Sequence, residues 1–268
     1  MDLYEAAAKL LARAQRVSAF TGAGISAESG IPTFRDPGGI WDQFDPEEFG
    51  TAEGILALAQ REPERIRRFL LGVVEIFEQA KPNPAHKALA ELERLGILSV
   101  VITQNVDALH TDAGSLSVYE VHGSMFRARC TRCGRRYPLE KQSLLKHARE
   151  LLQESNGFRL EKALTIMPVC DCGGLTRPDV VMFGEAVQQL NQSFRAASST
   201  DVMLVLGTSG VVYPAAAIPH QAQQAGAKII EINPSENCYS AITDVFIKEQ
   251  NGAAMPKIME HLHQLLRG

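Results

Sequence analysis

Short apolar runs rich in β-branched residues alternate along this chain with helical patterns. That alternation limits the fold more than any single motif does. The runs are VSAFTG, ending at Gly22; ILSVVITQN, ending at Asn105; VYEVHG, ending at Gly123; DVMLVLGTSG, ending at Gly210; KIIEINPSE, ending at Glu236; and the short DVFIKE. Strands that are nearly all apolar are buried on both faces, as in a parallel sheet. Between them lie NPAHKALAELERLG, closed by Gly96, and YPAAAIPHQAQQAG, closed by Gly226. Strand, helix, strand in this order predicts an α/β fold with a doubly wound parallel sheet. Such sheets bind ligands beyond the carboxyl ends of their strands. Thr21, Gln104, Asn105, His122, Thr208, Ser209, Asn233 and Ser235 all fall at those ends.

Two segments break the alternation. Residues 40–80 read as a helical insertion, and 127–177 hold four of the five cysteines. Residues 1–39, 81–126 and 178–268 then make the main domain. The net charge of −4 argues against a broad electrostatic footprint for nucleic acid or membrane. No run of 18 apolar residues spans a bilayer. The start, MDLYEAAAKLLARAQR, reads as an amphipathic helix and not a secretory signal. The expected compartment is the reducing cytoplasm, where cysteines suggest metal before disulfides.

Gly22-Ala23-Gly24-Ile25-Ser26-Ala27 fits G-x-G-x-x-G/A directly after a strand. The first glycine permits a tight turn, the second lets backbone approach a pyrophosphate, and the small third residue lets helix pack on strand. The alternative is a tight turn with no ligand. An ordinary dinucleotide site would also place an acid at the end of the next strand, about 20 residues on. Only Asp42 and Asp45 are in range, inside the insertion. The loop instead continues to a proline, Phe34, Arg35 and Asp36, as if folding over the far half of a cofactor. Phe34 suits covering a ring and Arg35 suits phosphate; the plainer reading of Arg35 is a surface pair with Asp36.

Of seven histidines, His86, His147, His220, His261 and His263 lie on helical patterns and His110 follows a turn; all read as solvated or structural. His122 closes an apolar run before Gly123 and has the pKa range of a general base, with a buried structural histidine as the alternative. Cys130 and Cys133 (CTRC) and Cys170 and Cys172 (CDC) have the spacing of thiolate knuckles. Four thiolates on one zinc leave no open position, so the ion would be structural. Arg127, Arg129, Arg132, Arg135 and Arg136 crowd the first pair and could offset the thiolate charge; nucleic-acid binding by these arginines and a disulfide are the rival readings. Cys238 reads as a free thiol.

With those motifs in hand, the chain resembles a sirtuin, an NAD-dependent protein-lysine deacylase. GAGISAESGIPTFRDPGGIW, TQNVDALH, VHG, CTRC…CDCGGLTRPDVVMFGE, GTSGVVYPAA and INPSE run in the family's order from about residue 18 to 255. The resemblance implies a Rossmann-like domain, a zinc-binding module and NAD as co-substrate. Gly22, Ala23, Gly24, Glu28, Thr33, Phe34, Arg35 and Trp41 would serve the phosphates and the ribose loop. Gln104 would meet the ribose, while Asn105 and Asp107 orient the nicotinamide end. Gly207, Thr208, Ser209, Asn233, Ser235 and the backbone of Ala253 would line the adenosine half. His122 would be the general base, with Asn105 beside it. The products would be nicotinamide, deacylated lysine and O-acyl-ADP-ribose. A mono-ADP-ribosyltransferase on the same scaffold is the main rival, and an NAD sensor or a dehydrogenase the weaker ones.

The partner so implied is an acylated-lysine protein, adding as a strand between VVMFGE and GVVYPAA at Val181, Phe183, Gly184 and Val211; a plain core strand and loop is the alternative. The opening and GTSGVVYPAA look most like the branch that removes acidic acyl groups. That branch reads its carboxylate with Tyr-x-x-Arg, where this chain has Leu70 and Val73, and no tyrosine lies between Tyr4 and Tyr119. Neutral acyl groups are therefore expected, with Arg67 and Arg68 as possible replacements for the missing pair.

Overall fold

The strand β1, Val17–Thr21, is buried at every residue and pairs in parallel on both sides. The other strands are β2 (Leu98–Thr103), β3 (Val118–Glu120), β4 (Gly123–Cys130), β5 (Arg136–Pro138), β6 (Thr176–Val180), β7 (Val202–Leu206), β8 (Lys228–Ile232) and β9 (Val245–Ile247). In this computed structural model, which describes residues 2–34, 39–153 and 158–267, six strands form one parallel sheet in the order β3-β2-β1-β7-β8-β9. The doubly wound sheet is as expected. Its order reverses between β1 and β7, the switch point at which such sheets open a crevice for ligands.

Helices cover both faces. Leu3–Arg13, Pro84–Arg94 and Asn251–Arg267 share one core with Leu204, Leu206, Ile230 and Ile232. Leu190–Ser198 and Ile218–Gln224 cover the other face over Phe20, Val205 and Ile229. The turn after β1 departs from an ordinary dinucleotide turn: Ala23–Ser29 is a 3-10 helix that stops at Gly30 in the left-handed region.

β4 pairs antiparallel with β5 and β6 in a second, three-stranded sheet. The insertion folds as Ile40–Gln43, Pro46–Phe49, Ala52–Arg61 and Pro63–Gln79. Its long helix packs on Lys141–Gln153 of the cysteine-bearing segment, and Phe49, Leu58, Ile66, Phe77, Leu145 and Leu152 form one apolar core from both. The two segments, read separately from sequence, thus bury a common surface.

Where β1 and β7 end, their loops touch. Gly24 N–H donates to the Gly207 carbonyl at 2.8 Å and Gly22 N–H to that of Leu206 at 3.0 Å. A Cβ on Gly22 would lie 2.7 Å from that of Thr208; one on Gly24, 2.8 Å from Gly207 Cα. Gly207 has φ +58, and a Cβ there would overlap Ile25 N. Gly207→Ala combines left-handed strain with overpacking, about 2–4 kcal/mol in sum. Its Tm should fall by at least roughly 5 °C, and an unchanged melting curve would show that the two loops do not meet.

Candidate active site

Beyond the ends of β1, β2 and β7 the structure gathers Gln104, Asn105, Asp107, Thr208 and the Gly22–Gly24 loop. Gln104 Nε2 donates to Thr208 Oγ1 at 2.9 Å, spanning the crevice between β2 and β7. Asn105 is buried; its Nδ2 donates to the Gly22 carbonyl (3.1 Å) and to Ser26 Oγ (3.1 Å). Ser26 Oγ donates to Asp107 Oδ2 at 2.7 Å, and Leu109 N–H to Asp107 Oδ1 at 2.9 Å. Burial raises the Asp107 pKa, an effect these two bonds only partly offset.

The network continues inward. His86 Nδ1 accepts from Asn83 N–H at 3.4 Å, so its Nε2 faces Ser26 Oγ at 3.5 Å as the donor. Burial lowers the His86 pKa to about 4, which keeps the ring neutral. His110 lies 4.9 Å from it, ring to ring, with Nε2 on Thr21 Oγ1 at 2.9 Å. Burial, then the neighbouring His86, keeps this second ring neutral as well. Sequence reasoning treated His86 as a helix residue and passed over Ser26. The signal that could have found them is the pairing of the buried face of Asn83-Pro84-Ala85-His86 with the polar turn after β1.

His122 does not close a strand. β3 stops at Glu120, and His122 sits in the junction where the chain leaves the parallel sheet for β4. Gly123 makes that junction possible: its φ is +81, and a Cβ there would overlap the Asp179 carbonyl. The half-buried ring places Nδ1 3.1 Å from the Gln104 carbonyl. A carbonyl only accepts, so Nδ1 carries the proton and Nε2 of the neutral ring carries the lone pair. Burial lowers the pKa, and the bond to Gln104 recovers part of that shift.

The remaining expected residues divide. Asn233 Nδ2 donates to the Thr208 carbonyl at 3.3 Å, while Ser209 and Ser235 are exposed along the same rim. Glu28 is turned to the last helix, where Oε2 accepts from Gly252 N–H at 2.5 Å; the exposed Ala253 follows. Ala23 is half-buried in the 3-10 turn, Phe34 is 40% exposed, and the Thr33 carbonyl accepts from Ile40 N–H at 2.9 Å. Arg35 and the side chain of Trp41 lie outside the described residues. Val181 N–H donates to the His122 carbonyl (2.8 Å) and Phe183 N–H to that of Gly50 (2.9 Å), and Val211 is 46% exposed. Past Val180 the VVMFGE stretch, Gly184 included, is not a strand, and neither is Val211. Leu70 and Val73 line the insertion's core. Arg67 is committed elsewhere: Nη1 donates to the Leu152 carbonyl at 2.9 Å and Nε to Glu64 at 2.6 Å. Arg68 is exposed.

The sulfurs of Cys130, Cys133, Cys170 and Cys172 all lie within 4.8 Å of one another, with Cys130–Cys172 at 3.6 Å and Cys133–Cys170 at 3.5 Å. A tetrahedron with Zn–S bonds of about 2.3 Å has edges near 3.8 Å, so the set fits one zinc. Arg132 and Cys133 N–H groups point at Cys130 Sγ (3.4 and 3.5 Å), and Tyr137 Oη at Cys170 Sγ (3.1 Å). Of the arginines expected to offset the thiolate charge, Arg135 feels Cys170, while most are engaged by carboxylates. Arg127 and Arg136 hold Asp179 at 2.7 Å each, Arg127 also holds Glu120 at 2.7 Å, and Arg129 meets Glu185 at 3.4 Å. Arg135 pairs with Asp171, and Arg132 donates to the Cys172 carbonyl at 2.9 Å.

The chain resembles known proteins over nearly its whole length. A sequence model of the Sir2 family matches residues 22–214. A relative from Desulfosudis oleivorans named NAD-dependent protein deacylase is 49% identical over 263 residues, 98% of this chain and 96% of its own. One from Thermococcus kodakarensis, of the same name, is 46% identical over 97% of this chain and 96% of its own. Among solved structures, a Sir2 homologue variant in complex with ADP-ribose superposes with a TM-score of 0.82 at 38% identity, covering 100% of this chain and 98% of that one. A Sir2 protein bound to a myristoylated histone peptide gives 0.73 at 34% identity, covering 99% and 98%. From the cysteine geometry, freshly purified protein should carry one zinc per chain, and serine at any of the four positions should lower both metal content and Tm. Elemental analysis showing no zinc would defeat the assignment.

Proposed function

The chain belongs to the Sir2 family, and we infer that its activity is NAD-dependent protein-lysine deacylation. The observation that carries this reading is His122: a neutral ring, its tautomer set by the Gln104 carbonyl, beside the crevice where the sheet order reverses. A dehydrogenase is disfavoured by the loop after β1, which is not followed by a second strand ending in the acid that would hold a cofactor ribose. Retention of a base at this place also favours deacylation over ADP-ribosyl transfer to a protein nucleophile.

NAD, when bound, supplies the ADP-ribosyl group that parts from nicotinamide and accepts the acyl group. The chain's own residues bind, orient and exclude water. Asn105 and Asp107 are held rigid by Ser26 and present their polar groups at the nicotinamide end without reorganising. Gln104 bridges to Thr208 and so fixes the width of the ribose site. Ser209, Asn233 and Ser235 serve the adenosine half. Phe34 covers the pocket and keeps water out. His122 Nε2 takes the proton of the ribose hydroxyl that attacks the acyl group. The acylated peptide lies along Val181–Gly184 and Val211, with its acyl chain toward Leu70 and Val73.

Because burial holds the His122 pKa below its ordinary 6.5, the base form persists as pH falls through that value. The acid limb of kcat/KM should lie below pH 6.5, and His122→Ala should lower kcat by about 10²- to 10⁴-fold with the melting curve retained. Activity within tenfold of the parent removes His122 from the reaction.

The acyl wall sets a second expectation. A carboxylate buried against Leu70 and Val73 would be unpaired, since Arg67 is tied to Leu152 and Glu64 and Arg68 is exposed to solvent beside Glu64, at a cost of several kcal/mol. A neutral chain gains about 0.8 kcal/mol for each CH₂ buried. Acetyl-lysine peptides should exceed succinyl-lysine peptides in kcat/KM by about 100-fold, and longer neutral chains should be accepted. Succinyl turnover equal to or above acetyl sinks this preference.

A further inference from the structure

The segment from Asp179 to Gln188 holds the backbone on both sides of the His122 ring. Val181 N–H donates to the His122 carbonyl at 2.8 Å, and Gln188 N–H to the Val121 carbonyl at 2.9 Å. The same segment carries Val181, Phe183 and Gly184, the stretch assigned above to the acyl-peptide. Base and peptide are therefore registered on one piece of chain, and what fixes that piece fixes their separation.

Two side chains fix it. Asp179 is 0% exposed. Its Oδ2 accepts from Arg127 and Arg136, and its Oδ1 accepts from Gln188 Nε2 at 2.8 Å. Gln188 Oε1 in turn accepts from Arg136 Nη2 at 3.2 Å and Arg127 Nη2 at 3.5 Å. Arg127 closes the arrangement on Glu120, two residues before His122, at 2.7 Å. Burial opposes the charge on Asp179, but the two arginines and Gln188 outweigh it, and the carboxylate stays ionised. Gln188 is the one neutral member, joined to Asp179 by its amide nitrogen and to the arginines by its amide oxygen.

We propose that Gln188 is a positioning residue for the deacylation reaction. Locked between Asp179 and Arg136, it sets the distance from His122 to the peptide-bearing stretch Val181–Gly184. It touches neither NAD nor acyl-lysine; it acts through the two backbone bonds that flank His122. The proposal rests on the deacylase reading, and activity of the parent enzyme tests that reading separately.

The test is a steady-state comparison of the full-length parent with Gln188→Met and Gln188→Glu, using NAD and an acetyl-lysine peptide. Methionine keeps the length of the side chain and loses both polar atoms. Glutamate keeps an acceptor for Arg136 but sets a second carboxylate against Asp179. In both, the backbone N–H still reaches Val121, so the fold is retained. The expected result is a fall in kcat of about tenfold for each variant, with KM for NAD within about twofold, while Tm falls by roughly 2–8 °C for the lost bond to buried Asp179. Parent-like kcat in the methionine variant overturns the proposal. So does a loss in which KM for NAD rises in step with the fall in kcat, because that is the signature of a merely structural role.

Discussion

The contact between the loops after β1 and β7 is the constraint on which the site depends. Two adjacent parallel strands end together, and their connections leave in opposite directions, which opens the crevice. The crevice could splay if the loops were independent. They are stitched by Gly24 on the Gly207 carbonyl and by Gly22 on that of Leu206, at a separation that only hydrogen side chains allow. Asn105 and Gln104 then reach across this stitched floor to the Gly22 carbonyl and to Thr208. The glycines of the motif thus act first on the protein itself. Gly24 spends its N–H on backbone, and pyrophosphate must find its donors elsewhere on the loop.

Much of the fold could be read from the sequence, because nearly all-apolar runs such as DVMLVLGTSG have one good solution, a strand buried on both faces. The cysteine set was equally legible: thiolate spacing is a short-range property, and CTRC and CDC carry it within a few residues. What escaped was set by long-range contact. The run VYEVHG looks continuous, yet the strand ends at Glu120, because Gly123 must turn the chain into a second sheet that pairs with Thr176–Val180, more than fifty residues later. His86 looks like one more helix residue until the helix docks under Ser26.

Charge follows the same division. Counting arginines near Cys130 suggested that they answer the thiolates. In three dimensions most of them answer carboxylates: a fully buried Asp179 on the opposite strand, with Glu120 and Glu185. Strand pairing decides this, since Arg129 lies opposite Arg177 and Ser124 opposite Asp179 in the β4–β6 ladder, and such register is not written in local composition. Breaking a buried pair of this kind costs far more than a surface one, about 3–5 kcal/mol against less than 1.

The helical insertion and the cysteine-bearing segment share one apolar core, and Arg67 of the former grips the Leu152 carbonyl of the latter. Leu70 and Val73 stand on that same helix. If the acyl chain meets Leu70 and Val73 as proposed, chain-length selectivity depends on packing against the cysteine-bearing segment. A chain whose helix Lys141–Gln153 is loosened would then lose that wall as well. Its substrate profile would drift while the dinucleotide crevice, built on the other sheet, stayed intact.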